Sequence, residues 1–148
     1  MLQQELRALL DPGTLLTEPA RIAPLLIDHR RLYQGRALAV AAPHSVEEVA
    51  RIVRWCNQRR VGVVPQGGNT GYCGGATPDE SGQQVLLTLR RLNRIRAVDA
   101  ADFSMTVEAG CVLERVQQAA DAAERFFPLS LGSQGSCQIG GNLSTNAG

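Results

Sequence analysis

Two loops carry the residue types from which a binding site could be made without any cation. The first lies in VGVVPQGGNTGYCGG, residues 61–75, where a β-branched run leads into glycines at 67, 68, 71, 74 and 75. The second is LGSQGSCQIGGNLSTNAG, residues 131–148, in which glycine is mixed with Ser, Thr, Asn and Gln. Glycine permits positive φ and lets a ligand come up against peptide N–H groups. A concave row of such groups is an anion site, and small hydroxyl and amide side chains add donors. The guest this chemistry suits is a diphosphate held mainly by main chain.

Familiar nucleotide motifs do not fit. A P-loop needs GxxxxGK[ST], and neither loop contains lysine. Gly67, Gly68 and Gly71 are spaced G-G-x-x-G, not GxGxxG, and no strand–loop–helix unit surrounds them. One glycine-rich turn after a strand commonly does no more than reverse the chain. Two in one small domain, both rich in amides and hydroxyls, point to a phosphate-bearing ligand.

The elements that must position these loops are read from periodicity. LQQELRALLDPG predicts a short helix stopped at Asp11-Pro12-Gly13, and residues 18–36 form a wrapped lead-in without a clean period. PHSVEEVARIVRWCNQRR sets Ser45 and Glu48 at capping-box spacing. Val46, Val49, Ala50, Val53 and Cys56 then share one helix face, with Trp55 off it as a helix-edge contact. VGVVP predicts a short strand ended by Pro65, and QVLLTL a strand apolar on both faces. IRAVD and SMTVEAG give two more strands around Ala-Ala-Asp, a second amphipathic helix starts at Val112, and RFFPLSLG reads as extended. That helix presents Leu113, Val116, Ala119, Ala120 and Ala123 on its apolar face. The order implies an α+β domain, a mixed sheet flanked by helices.

Composition narrows the classes. The chain has 148 residues, 44% apolar and 20% charged, which suits one domain with a real core and excludes disorder. A net charge of +1 with dispersed arginines argues against nucleic acid, and the pairs Arg59–Arg60 and Arg90–Arg91 read as solvated element ends. No apolar run reaches the roughly 18 residues of a transmembrane segment. The N-terminus lacks the apolar stretch of a signal peptide, so the expected location is cytoplasmic. Cys56, Cys73, Cys111 and Cys137 contain no CxxC pair and are expected as free thiols. His29 and His44 are too few for a metal site and read as structural or surface residues.

PQGGNTGYCGG and PLSLGSQGSCQIGGNLSTNAG closely resemble the two flavin-binding stretches of FAD-linked oxidases of the vanillyl-alcohol oxidase and para-cresol methylhydroxylase (PCMH) family. Within it the nearest likeness is to the D-2-hydroxyacid dehydrogenases, those acting on D-2-hydroxyglutarate, D-lactate or glycolate. IDHRRLYQGRALAVAAPHSVEEVARIV and VEAGCVLERVQQAA match the same group, so the resemblance spans about residues 20–148. It implies a helical lead-in over 1–34 and a PCMH-type FAD-binding domain over 35–148, incomplete at its C-terminus. Gln66, Gly67, Gly68, Asn69, Thr70 and Gly71 match the loop whose amides wrap the FAD pyrophosphate. Leu131, Gly132, Ser136, Cys137, Ile139, Gly140, Gly141, Asn142, Thr145 and Asn146 match the stretch along the ribityl chain and isoalloxazine. Cys137 is then a packed thiol beside the flavin rather than a nucleophile. Covalent relatives attach flavin through a histidine, often in the first glycine loop. Asn69 stands there in this chain, and neither loop has a histidine, so the resemblance implies non-covalent FAD.

Relatives continue past NLSTNAG into further FAD-binding structure and a substrate domain, so the expectation is a truncated domain: a fragment, or half of a split enzyme. Their catalytic base, substrate-binding arginines and metal-binding histidines have no counterpart to inherit here. For the intact enzyme the resemblance implies oxidation of a D-2-hydroxy acid to a 2-oxo acid. Hydride leaves the substrate α-carbon for the flavin, a base takes the hydroxyl proton, and electrons pass to an acceptor other than NAD. Such an FAD-dependent 2-hydroxyacid dehydrogenase would be inactive as the 148-residue chain alone. Two other readings stand beside it: a non-catalytic or degenerate nucleotide-binding module, and the FAD domain of a related flavin reductase.

Overall fold

Three short strands form the centre of the computed structural model, which describes residues 1–147. β1 (Ala39–Ala41), β2 (Val63–Gln66) and β3 (Val85–Thr88) pair in parallel in the order β1-β3-β2. Parallel neighbours need crossovers. Helix α3 (Val46–Arg59) supplies the one from β1 to β2, and the irregular segment 67–84, which holds the first glycine loop, supplies the one from β2 to β3. The central strand β3 is buried along its whole length, as a strand covered on both faces must be.

The two faces have different covers. Ala39, Ala41, Val85 and Leu87 pack against Ile52, Trp55 and Cys56 of α3 and Leu6 of α1 (Leu2–Ala8). Val40, Ala42, Val64 and Leu86 point the other way and meet Leu16 and Leu25. Those two leucines come from the lead-in, which contains α2 (Pro19–Ile22) and a 3₁₀ turn at Ala23–Leu25. The lead-in thus closes one side of the core, while α1 packs on the other beside α3.

Antiparallel pairing occurs in a separate hairpin of β4 (Ile95–Asp99) and β5 (Ser104–Val107). Its turn is held by the Asp99 carboxylate, which accepts from the N–H groups of Ala101 and Asp102 at 3.0 and 2.9 Å. Helix α4 (Leu113–Ala122) follows and buries Leu113, Val116 and Ala120, the face expected. RFFPLSLG enters no strand, and Phe126 is 87% exposed.

Three local expectations change. Pro65 does not end its strand: it pairs with Leu87, and Gln66 continues the ladder opposite Thr88. β2 is an edge strand bonded on one side only, so a missing N–H on the other side breaks no ladder bond. The buried face of α3 is Glu48, Ile52, Trp55 and Cys56, while Val46 and Val53 are 55% and 44% exposed. Trp55 is therefore a core residue. The stripe was disguised because its first member is a carboxylate. Ser45 caps the helix, its Oγ accepting from the Glu48 N–H at 3.1 Å, and the Glu48 side chain accepts from Thr14 Oγ1 at 2.5 Å and His44 N–H at 2.6 Å. Burial pushes the Glu48 carboxyl up, but these donors outweigh it and hold it below its ordinary value. Finally, the Ala-Val-Ala of β1 carries little intrinsic strand signal; β3 beside it imposes the strand.

The hairpin is tied to the chain by Glu108. Its carboxylate accepts from Arg94 Nε and Nη2 at 3.0 and 2.8 Å, from the Arg94 N–H at 2.8 Å, and from Arg96 Nη2 at 3.1 Å. Chiefly through Arg94, its pKa is held at about 2, against an ordinary 4.5. A depressed carboxylate stabilises the fold above its unfolded pKa and loses that contribution as pH falls through the folded one. Glu108→Gln is therefore expected to lower the melting temperature at neutral pH, with the gap to wild type closing between pH of about 4.5 and about 2. Melting curves across that range check it; a gap independent of pH contradicts it.

Candidate functional site

β2 delivers the chain directly into the first glycine loop. Gln66, the last strand residue, is 1% exposed, and its Nε2 donates to the carbonyls of Leu25 and Ala76, both at 2.9 Å. Asn69 takes φ +55° and donates from Nδ2 to the Ile27 carbonyl at 2.8 Å. These two side chains peg the loop to the lead-in, so their polar heads are tethers. Between and beyond the pegs, the N–H groups of residues 67 to 72 find no acceptor among the described residues, although 67 to 70 are only half exposed. Buried or half-buried N–H groups are nearly always paired. A run of left-over donors curled by one positive φ is an anion nest.

The second loop lies against the first, backbone to backbone. A Cβ on Gly68 would fall 2.1 Å from the Ser136 carbonyl oxygen and 2.9 Å from Cys137 Cα. No side chain of any kind fits there. The bare α-carbon of Gly68 admits the second loop. Residues 137–140 are themselves fixed on 109–113. Leu113 N–H donates to Cys137 O at 3.0 Å, Ile139 N–H to Cys111 O at 2.9 Å and Gly140 N–H to Ala109 O at 2.8 Å. Helix α5 (Ile139–Ser144) then begins with Gln138 as its N-cap.

The expected residues fall into groups. Gly67 and Gly68 of the first loop meet Ser136, Cys137, Gln138 and Gly141 of the second along one seam, while Gly71 lies clear of it. Cys137 is 2% exposed and receives Asn142 Nδ2 at 3.6 Å, a packed thiol as expected; Asn142 is itself buried. Leu131 and Gly132 lie in the approach turn, where Gln134 N–H bonds the Leu131 carbonyl at 3.1 Å, and among the described residues no main-chain hydrogen bond ties them to the first loop. Thr145 and Asn146 sit exposed at the far end of α5, with Thr145 Oγ1 donating to Gly141 O at 2.9 Å. A Cβ on Gly71, Gly132 or Gly141 meets nothing within 4 Å, so these α-carbons face open space.

Two features escaped the sequence reading. Gln138 is 7% exposed, and its Oε1 is sealed without a partner; a lone glutamine inside a glycine motif gives no pattern signal. The turn at 28–33 is built on Asp28, whose carboxylate accepts from the N–H groups of Tyr33 at 2.6 Å and Arg30 at 3.0 Å. Burial pushes Asp28 up, and those N–H groups outweigh it, leaving the carboxyl below its ordinary value. The turn stacks His29 on Tyr72, ring centres 5.7 Å apart, just past the nest. Free N–H groups at the edge of the seam suit a diphosphate. The residues fit a phosphate-bearing ligand.

Comparison with known proteins agrees with that chemistry. The family described as FAD binding domain matches residues 37–148. The chain is 44% identical over 147 residues to D-2-hydroxyglutarate dehydrogenase of Xanthomonas citri pv. viticola, covering 99% of this chain and 30% of that protein. It is 41% identical over 144 residues to the mitochondrial D-2-hydroxyglutarate dehydrogenase of Danio rerio, covering 96% and 26%. Thus it spans about a quarter to a third of these relatives' length. Among solved structures, alkyldihydroxyacetonephosphate synthase superposes with a TM-score of 0.84 at 21% identity, over 97% of this chain and 29% of that one. p-Cresol methylhydroxylase with substrate bound superposes at 0.64 and 24% identity, over 83% and 24%. The α+β fold is that of the PCMH-type FAD-binding domains, as the resemblance implied.

Two glycine substitutions separate packing from binding. Gly68→Ala forces the loops apart and is expected to cost about 1–3 kcal/mol, with faster amide exchange at residues 137–140. Gly71→Ala meets open space and is expected to leave stability within about 0.5 kcal/mol. Denaturant midpoints and hydrogen exchange check both; equal costs at the two positions contradict the seam.

Proposed function

The chain belongs to the FAD binding domain family, and from that membership we propose that its two glycine loops hold FAD without a covalent bond. The diphosphate lies on residues 66–71, and the ribityl chain and ring run along residues 131–146. One observation carries this reading: a strip of unpartnered N–H groups at 67 to 72, pegged by Gln66 and Asn69 and closed on one side by Ser136 and Cys137. Main-chain donors need no lysine or arginine, and the loop has neither.

When bound, FAD supplies the two-electron acceptor of an oxidation. The residues of this chain bind and orient. The nest holds the anionic bridge, the Cys137–Asn142 pair packs beneath the second loop, and the seam between the loops keeps water from the main chain there. Asn69, committed to the Ile27 carbonyl, offers no nucleophilic ring nitrogen for attachment. The whole protein, in this reading, oxidises a D-2-hydroxy acid to a 2-oxo acid and passes electrons to an acceptor other than NAD. The names of the two relatives above support 2-hydroxyglutarate as the first substrate to try. A cytoplasmic location belongs to the same proposal. Four free cysteines suit a reducing compartment, and no helix among the described residues is long and apolar enough to cross a membrane. The name of the Danio rerio relative assigns that protein to mitochondria, so fractionation is the check.

Titration with FAD should quench flavin fluorescence saturably, and acid precipitation should leave all flavin in the supernatant. Anaerobic D-2-hydroxyglutarate should then bleach the flavin of the whole protein, with the L-enantiomer inert. Flavin carried down with the pellet would overturn the non-covalent assignment. Absence of bleaching by any D-2-hydroxy acid would overturn the reaction while leaving the binding intact.

A further inference from the structure

We propose that the aromatic pair Tyr72 and His29 is a stacking platform for the base of a nucleoside diphosphate. Under the FAD reading, on which this rests, that base is the adenine, the arm of the cofactor that neither glycine loop accommodates. An exposed tyrosine by itself means little. This one is set apart by its place at the far end of the nest and by the frame that holds it. Tyr72 follows Gly71 directly and is 63% exposed. Its ring centre lies 5.7 Å from that of His29, with the planes 30° apart. The Arg30 guanidinium stands 5.8 Å from the same ring centre.

The frame is the turn 28–33, which grips the first loop on both sides of Tyr72. On the near side Asn69 donates to the Ile27 carbonyl at 2.8 Å. On the far side the Tyr33 ring lies over Gly74, where a Cβ would fall 2.6 Å from Tyr33 Cδ2 and the backbone takes φ +72°. The Asp28 carboxylate holds the turn itself. An imidazole, a phenol and a guanidinium are thus presented together, all three on exposed residues. Flat groups of these kinds stack on the face of a nucleobase, and a group already fixed in place loses little freedom when it does so.

Direction follows from the seam. Gly67 and Gly68 meet the second loop, so a chain that runs along residues 131–146 leaves the nest at that end. Tyr72 stands at the other end, and a Cβ on Gly71 before it meets nothing within 4 Å. A diphosphate seated on the nest has two arms. One follows the second loop, and the other emerges beside Tyr72.

Tyr72→Leu keeps apolar bulk but removes the flat face, whereas Tyr72→Phe keeps the face. Without ligand, purified protein carrying either change should melt at the wild-type temperature, because the side chain is exposed. The FAD dissociation constant should rise about tenfold in Tyr72→Leu, the scale of one base stacked on one aromatic ring, and stay at the wild-type value in Tyr72→Phe. ADP, which carries adenine and no flavin, should displace FAD from the wild type at millimolar concentration and about tenfold less well from Tyr72→Leu. Unchanged FAD affinity in Tyr72→Leu would overturn the inference, as would an equal loss in Tyr72→Phe. ADP that fails to compete, or competes equally on both proteins, contradicts it too, since the adenine is then not on Tyr72. So does a ligand-free melting temperature that falls in Tyr72→Leu, which makes the ring structural. A wild type that binds no FAD fells the cofactor reading itself, whereas wild-type binding matched by Tyr72→Leu sinks the platform alone.

Discussion

A peptide N–H that is shielded from water and has no acceptor is a debt that the rest of a fold must justify. Residues 67 to 70, all half-buried, present a run of unpaired ones, and much of the architecture holds that run in place. The edge strand β2 sets where the loop begins, and Gln66 and Asn69 fasten it to carbonyls of the lead-in. The lead-in is held in turn by Leu16 and Leu25 on one face of the sheet.

The second loop reaches the same place from a different direction. The segment 109–113 is fastened at the end of β3, where Gly110 N–H bonds the Leu92 carbonyl at 2.7 Å and Leu92 N–H bonds the Leu89 carbonyl at 2.9 Å. Residues 137–140 hang from that segment by three main-chain bonds. Both loops thus depend on the carboxyl ends of neighbouring parallel strands, the side of such sheets at which ligands gather. Contact at Gly68 locks the two supports into one seam.

How much of this the sequence displays depends on the kind of signal. Glycines followed by amides and hydroxyls were legible because the backbone chemistry they permit is local, and the strands at Val85–Thr88, Ile95–Asp99 and Ser104–Val107 were legible from their composition. The buried face of α3 was not. A carboxylate at position 48 looks solvated until Thr14, 34 residues away, is seen to bond it. β1 was hidden because Ala-Val-Ala becomes a strand only beside β3, and the role of Gly68 because its neighbour Ser136 is far along the chain. Gln138 was passed over for the same reason: its oxygen is notable only for what it fails to touch. Each hidden feature rests on a contact between distant segments.

Amide exchange at residues 67 to 71, followed by NMR with and without FAD, tests the central claim most directly. Those N–H groups should exchange quickly in the free protein and become strongly protected when FAD binds, while their neighbours at Gln66 and Thr88 change little. Saturable FAD binding that leaves residues 67 to 71 unprotected would place the diphosphate elsewhere and contradict the account.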